Sequence, residues 1–247
     1  MEDYLLLILV GFIAGIINVV AGGGSLLTLP ILIFLGLPPN IANGTNRIAI
    51  IIQNIFAIKG FQSKGISSYS FSIYLAIPAT IGAILGSLAG VKIEGELFNK
   101  ILGVVMVVVV AYMVFKPKQT NKQTLERITG KHFWLSIVVF FMIGLYGGFI
   151  QAGVGFIILL ALSSINHISL VKSNAIKVFV ALVYTLAAVG VFAYNDSINW
   201  MYGLILSFGN ASGGWIMSRW SVDKGDEFIK KVLIIMVLAM AIKLWFP

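Results

Sequence analysis

Long apolar runs separated by short polar connections make up most of this chain. Six runs are close to the roughly 20 residues that a helix needs to cross hydrocarbon. They cover residues 41–58, 71–91, 97–115, 170–194, 198–217 and 228–246, and the first and fifth hold more polar residues than the others. The pattern predicts an all-α polytopic membrane protein. The start, Met1-Glu2-Asp3-Tyr4, lacks the basic residues of a cleaved signal peptide, so we expect it to remain in the first membrane segment.

Two further apolar runs, residues 4–36 and 133–166, are interrupted near their middle by glycine. Residues 21–25 read Ala-Gly-Gly-Gly-Ser, and residues 147–155 contain Gly-Gly and then Gln-Ala-Gly-Val-Gly. Irregular backbone at membrane depth is tolerated only where protein buries it or where it lines a cavity. Each run therefore predicts a helix broken at a buried site.

The two halves of the chain share an internal repeat. Residues 11–18 match residues 144–151, and residues 43–48 match residues 173–178, which places Arg47 and Lys177 at equivalent positions. The predicted organisation is a first transmembrane repeat (1–115), a basic cytoplasmic linker (116–132) and a second transmembrane repeat (133–247).

The distribution of lysine and arginine distinguishes two topologies. If each broken element crosses the membrane once, the cations outside the helix cores divide eight to seven; if each is a hairpin, they divide twelve to three. Only the second division follows the positive-inside rule. We therefore predict two inverted-topology repeats, each a glycine-broken helical hairpin plus three transmembrane helices, with both termini outside the cytoplasmic membrane.

Composition excludes several other classes. The chain is 59% hydrophobic and 11% charged, against about 25% charged in soluble domains. The net charge is +8, but the basic residues lie between apolar runs and do not cluster on one water-exposed face. No nucleic-acid partner is therefore expected. The absence of cysteine excludes thiolate metal sites, and no metalloprotease or serine–histidine motif indicates an enzyme. No cofactor or metal is expected.

The candidate site is an anion site. The second arms of the hairpins are predicted to begin at Gly24-Ser25 and Gly155-Phe156, and helix N-termini attract anions. Arg47 and Lys177 need a partner inside the membrane, and no acidic residue lies in a predicted helix core, so an anionic substrate is the simplest one. The predicted binding residues are Asn18, Gly23, Gly24, Ser25, Asn43, Thr45, Asn46, Arg47, Gln151, Gly153, Gly155, Asn174 and Lys177.

Some of these features have alternative interpretations. Arg47 and Lys177 can instead snorkel or cap neighbouring helix ends. Asn54 supplies either a neutral hydrogen bond to the site or, with Gln53, a link between helices. The segment 210–214 either lines the pathway or packs helices closely, whereas Gly82, Gly86 and Gly90 favour close packing.

The glycine cluster at 22–24 with Ser25, and the stretch Ala42-Asn43-Gly44-Thr45-Asn46-Arg47, resemble the first repeat signature of the TauE/SafE family of sulfite exporters. Gly148 to Gly155 and the stretch 173–177 are similar to that family's second half. In this second half Val154 interrupts the glycine cluster, and Ile176 stands where the family pattern has asparagine. The resemblance covers essentially the whole chain and implies a transporter of sulfite, organosulfonates or related anions.

These observations together predict a secondary transporter, and an exporter, of small sulfur-containing anions. The anion is expected near the midplane, between the hairpins and beside Arg47 and Lys177. The expected partners are this anion and the lipid bilayer, and a homo-oligomer is left open. The alternative is a passive anion channel or a carrier for other small organic anions. Since no carboxylate lies in a helix core, we expect any proton to travel on the substrate, or transport to be passive.

Overall fold

The structure is a computed structural model that describes residues 2–67, 69–93, 95–98, 100, 101, 104 and 125–245. No described residue lies in a strand, so the prediction of an all-α protein is confirmed. The helices with described bounds are α1 (Glu2–Val20), α2 (Ser25–Phe34), α3 (Pro39–Gln62), α4 (Tyr69–Gly90), α5 (Gly130–Phe149), α6 (Val154–Ile165), α7 (Leu170–Tyr194) and α8 (Trp200–Trp245).

Among the described residues, four helices are long and apolar enough to cross a membrane, namely α1, α4, α5 and α7. Helix α7 has the predicted bounds 170–194. The predicted runs 198–217 and 228–246 join into α8, which bends at Gly225, where φ is 72° and ψ is −173°. Most of the predicted helix 97–115 and residues 116–124 of the predicted linker lie outside the described residues.

Both predicted glycine breaks are confirmed. Helix α1 ends at Val20 and α2 begins at Ser25, whereas α5 ends at Phe149 and α6 begins at Val154. The predicted start of α6 at Gly155-Phe156 is slightly late. Gly153 adopts φ 68°, a left-handed conformation that glycine takes without strain, and this turns the chain so that the helix begins directly after it.

The long helices pack in two corresponding pairs, α1 with α8 and α5 with α4. A Cβ atom on Gly86 would overlap the carbonyl oxygen of Leu145, and one on Gly213 would overlap the carbonyl oxygen of Phe12. Such contacts let helix backbones approach closely, as the sequence predicted for α4. The glycines that make them are Gly82, Gly86 and Gly90 on α4 and Gly209 and Gly213 on α8. The inverted orientation of the two halves stays a prediction.

Asp226, just after the bend in α8, caps the N-terminus of α7. Its carboxylate accepts hydrogen bonds from the backbone N–H groups of Leu170 at 3.0 Å and Val171 at 2.9 Å. We expect Asp226→Ala to lower the free energy of unfolding by about 1–2 kcal/mol, because it removes a charged cap. Asp223→Ala is the control, since Asp223 pairs with Lys64 at the surface and its loss should cost less than about 1 kcal/mol. Equal losses in thermal unfolding of the two variants in detergent would contradict this assignment.

Candidate functional site

The two glycine breaks touch each other. A Cβ atom on Gly22 would overlap the Cα atom of Gly155, and a Cβ atom on Gly155 would overlap that of Gly22. Gly22 also has φ 80°, in the left-handed region that favours glycine. The close contact of backbone with backbone therefore requires glycine on both sides, and it brings the start of α6 against the end of α1.

A small cavity of about 20 Å³ lies beside this contact. Its wall combines the two breaks with one face of α3 and one face of α7. The lining residues are Asn18, Gly22, Ser25, Ile50, Asn54, Gln151, Val154, Gly155, Ile158, Lys177, Ala181 and Tyr184. Five of them were predicted for the site: Asn18, Ser25, Gln151, Gly155 and Lys177. None of the lining residues is acidic, and Lys177 is the single cation among them.

Lys177 reaches from α7 to the end of α1 in the other half of the chain. Its Nζ atom donates to the backbone oxygens of Asn18 at 2.8 Å and Val19 at 2.7 Å, and to Oδ1 of Asn174 at 2.6 Å. An ammonium group has three protons, so these acceptors engage all of them. The last carbonyls of a helix have no partner within the helix, and a cation there is favourable. Lys177 therefore caps α1 while its charge stands at the cavity wall.

Arg47 makes the corresponding contacts from α3 to the end of α5. Its Nη1 atom donates to the Gly147 carbonyl at 2.9 Å and to Oε1 of Gln151 at 2.8 Å, and Nη2 donates to the Gly148 carbonyl at 2.6 Å. The side chain is completely buried and does not line the cavity. Arg47 is thus a helix cap that joins the two halves.

The interpretation that both cations cap neighbouring helix ends therefore describes their contacts. The sequence pointed to an anionic substrate as their simplest partner, whereas in the structure both cations donate to backbone carbonyls of the opposite half of the chain. Lys177 differs from Arg47 because it also borders the cavity. The contact of either cation with an anion stays a prediction.

Asn46 links α3 to α2 on the polar side of the cavity. Its Nδ2 atom donates to the hydroxyl of Ser25 at 3.1 Å, and its Oδ1 atom accepts from the hydroxyl of Thr28 at 2.7 Å. The matching residue of the second half, Ile176, instead packs in an apolar cluster with Val154. The departure of the second repeat from the family pattern is therefore a replacement of hydrogen bonds by apolar contact.

The remaining predicted residues hold the wall in place. Thr45 accepts a hydrogen bond from the backbone N–H of Asn199 at 2.8 Å, and Asn43 donates to the Phe149 carbonyl at 2.7 Å. A Cβ atom on Gly23 would lie 2.5 Å from the ring of Phe156. The predicted residues outside the cavity lining are Gly23, Gly24, Asn43, Thr45, Asn46, Arg47, Gly153 and Asn174.

Two cavity residues extend the predicted set. Asn54 is 2% exposed, and its Nδ2 atom has no hydrogen-bond partner among the described residues. Tyr184 is 1% exposed and was not singled out from the sequence. A signal for it exists, because Asn54 follows Arg47 by seven positions and Tyr184 follows Lys177 by the same number. Two helical turns separate residues seven apart, so both face the cavity from equivalent places.

Comparison with known proteins finds relatives that are described as probable membrane transporters. A "Probable membrane transporter protein ORF9" of Sinorhizobium sp. is 29% identical over 96% of this chain and 90% of its own length. A "Probable membrane transporter protein" of Haemophilus influenzae is 28% identical over 97% and 93%, and YfcA of Escherichia coli, with the same description, is 25% identical over 96% and 88%. No solved structure matches. The class is therefore that of membrane transporters.

The family follows from a profile match over nearly the whole chain. The profile described as "Sulfite exporter TauE/SafE" matches residues 7–244. The chain belongs to the TauE/SafE family.

Proposed function

We propose that this protein is a secondary transporter that exports a small sulfur-containing anion, sulfite or an organosulfonate, across the cytoplasmic membrane. The anion binds in the cavity between the two glycine breaks. The description of the family as sulfite exporters supports both the chemical class and the direction. Broken helices that meet at a cavity support a secondary transporter, since such proteins bind substrate where helices are interrupted.

One observation carries the choice of an anion. Lys177 and Asn54 both line the cavity, the Nδ2 donor of Asn54 is buried without a partner among the described residues, and the lining residues include no carboxylate. An amide N–H buried without an acceptor costs about 1–3 kcal/mol, so a ligand that supplies an oxygen acceptor is stabilised there. Sulfite and sulfonate oxygens are such acceptors and also carry the charge that Lys177 attracts.

The apolar part of the wall favours an organosulfonate over inorganic sulfite. Ile50, Val154, Ile158 and Ala181 line the cavity together with the polar groups. A ligand with a short hydrocarbon portion can place it against these side chains, whereas a fully hydrated inorganic anion gains nothing from them.

The orientation rests on the charge distribution. With hairpins at both breaks, twelve cations including those of the linker lie on one side and three on the other. That division supports a cytoplasmic linker and both termini outside. The large apolar side chains exposed on α1 and α4, such as Leu5, Leu9 and Ile77, support contact with lipid. A proton, where one is moved, travels on the substrate, since the lining offers no carboxylate or histidine to carry it.

A ligand-induced thermal shift on purified protein tests the proposed site. We expect sulfite, taurine or sulfoacetate to raise the melting temperature, and Asn54→Leu to weaken the binding about tenfold or more, because a hydrogen bond to a charged ligand is worth about 1.5–3 kcal/mol. Thr80→Val is the matched control: its hydroxyl is also buried without a partner among the described residues, but it does not line the cavity.

Other results would favour a different function or a different site. Stabilisation by carboxylates but not by sulfonates would indicate a carrier for other organic anions. Single-channel currents far above carrier rates would indicate a passive channel. Stoichiometric movement of a proton with a permanently charged sulfonate in liposomes would contradict proton movement on the substrate. A sulfonate shift that survives Asn54→Leu unchanged would remove Asn54 from the site.

A further inference from the structure

A second group of buried polar side chains lies where α1, α3 and α8 meet. Gln53 and Asn210 are 1% and 2% exposed. Among the described residues, Nε2 of Gln53 has no acceptor and Oδ1 of Asn210 has no donor. One unused donor and one unused acceptor are thus buried in the same junction.

This junction continues from the cavity. Asn18, which lines the cavity, donates from Nδ2 to Oε1 of Gln53 at 2.9 Å, and Gln53 precedes the cavity residue Asn54. On α8, a Cβ atom on Gly214 would lie 2.8 Å from Cγ of Gln53. Asn210 lies one helical turn before Gly214, on the same face of α8. The polar groups therefore form a row that leads from the cavity between three helices.

The equivalent positions of the other half are apolar. Gly15 faces the backbone of Asn210 in one half, and its match Gly148 faces the backbone of Ala83 in the other. Gln53 follows Arg47 by six positions, as Val183 follows Lys177. Ala83 and Val183 belong to one apolar cluster formed by α4, α5, α6 and α7. The same helix arrangement is therefore built once with polar and once with apolar side chains.

Folded proteins rarely leave buried polar groups without a hydrogen-bond partner. Where no protein group is in reach, an ordered water molecule commonly supplies the partner. A water molecule both donates and accepts, which matches the unused donor of Gln53 and the unused acceptor of Asn210.

We propose that the junction of α1, α3 and α8 is a water-filled branch of the cavity through which the substrate exchanges with one side of the membrane, while the equivalent positions of the other half, Ala83 and Val183, stay dry. The exchange of substrate rests on the proposed function, whereas the hydration does not. The segment 210–214 then serves both close packing and the pathway, because Gly213 packs on α1 and Oδ1 of Asn210 has no donor among the described residues.

The absence of native cysteine allows a direct test of hydration. Asn210→Cys and Ala83→Cys place one thiol in each junction, and Gln53→Cys with Val183→Cys forms a second pair. In liposomes we expect a small charged methanethiosulfonate to modify the first member of each pair at least about tenfold faster, because a thiol in apolar surroundings does not ionise readily. Equal rates within both pairs, or faster reaction at Ala83→Cys and Val183→Cys, would overturn the proposal.

A second measurement compares sulfonate transport after Asn210 is replaced by alanine, the residue at the equivalent position 83 of the other half. Asn210→Ala should lower the rate of sulfonate transport at least fivefold while the melting temperature stays equal or rises, because an unpaired polar group is removed. Ligand affinity in the cavity should not change, and Thr80→Val should transport normally. Unchanged transport by Asn210→Ala, or a loss of transport that follows a loss of stability, would contradict a pathway. If the native protein binds no sulfonate, the proposed function fails while the cysteine pairs still decide hydration.

Discussion

Replacing Arg47 with methionine is expected to lower the free energy of unfolding by at least about 3 kcal/mol, since each carbonyl left buried without a donor costs about 1–3 kcal/mol. The guanidinium group serves the carbonyls of Gly147 and Gly148, which end α5 and have no partner within the helix. It also lies 4.6 Å from the ring centroid of Phe192, so its removal leaves a gap there. The free energy of unfolding of Arg47→Lys should lie between those of the native protein and Arg47→Met. The three protons of an ammonium group sit on one nitrogen and cannot reproduce the planar arrangement of donors in a guanidinium group.

Arg219→Met is the matched control for this substitution. Arg219 also stacks on an aromatic ring, that of Trp215 at 5.4 Å, but it is exposed. Its loss should cost no more than about 1 kcal/mol. Thermal and denaturant unfolding of both variants in the same detergent gives the comparison. A loss in Arg47→Met as small as that in Arg219→Met would show that the crossed cap does not hold the two halves together.

Gly155→Val is expected to abolish both stable folding and transport. A Cβ atom at this position overlaps the Cα atom of Gly22, and backbone cannot move aside as a flexible side chain can. Overpacking of a tight contact costs about 1–3 kcal/mol and more where the backbone must shift. Gly155→Ala should already be damaging, because the overlap begins at Cβ.

Gly190→Ala provides the control at a helical glycine with room for a side chain. A Cβ atom at Gly190 on α7 has no described atom within 4 Å. Alanine is favoured over glycine in a helix by about 1 kcal/mol, so this variant should be at least as stable as the native protein. Yield and melting temperature of Gly155→Ala and Gly190→Ala should therefore change in opposite directions. A native melting temperature for Gly155→Ala would disprove the close contact of the two breaks.

The helices follow from the sequence where an apolar run has polar ends. Helix α7 was predicted to the residue because its apolar run lies between Ser169 and Asn195. The first break was predicted because the three consecutive glycines at 22–24 cannot continue a helix in lipid, and the second because several glycines interrupt the apolar run between residues 147 and 155. The start of α6 was predicted one residue late, since the sequence did not show which glycine of the segment 153–155 adopts the left-handed conformation.

Within the site, the sequence predicted mainly the residues whose side chains are polar or charged. Asn18, Gln151 and Lys177 stand out in an apolar chain, and they line the cavity. The partners of Arg47 were not predictable, because every residue has a carbonyl and only the fold shows which ones a helix end exposes. The apolar lining residues Ile50 and Ala181 resemble any core or lipid-facing position. The sequence left Asn54 with two interpretations, and in the structure it lines the cavity while its Nδ2 atom has no partner among the described residues.

The crossed caps change which parts of the molecule can move as units. Lys177 on α7 holds the end of α1, and Arg47 on α3 holds the end of α5. A rocking motion that separated the N-terminal half from the C-terminal half would break both sets of hydrogen bonds in an apolar interior. A motion that preserves them carries the end of α1 with α7 and the end of α5 with α3. Each part that moves as a rigid unit during transport would then combine segments from both halves of the chain, and neither unit would correspond to one sequence repeat.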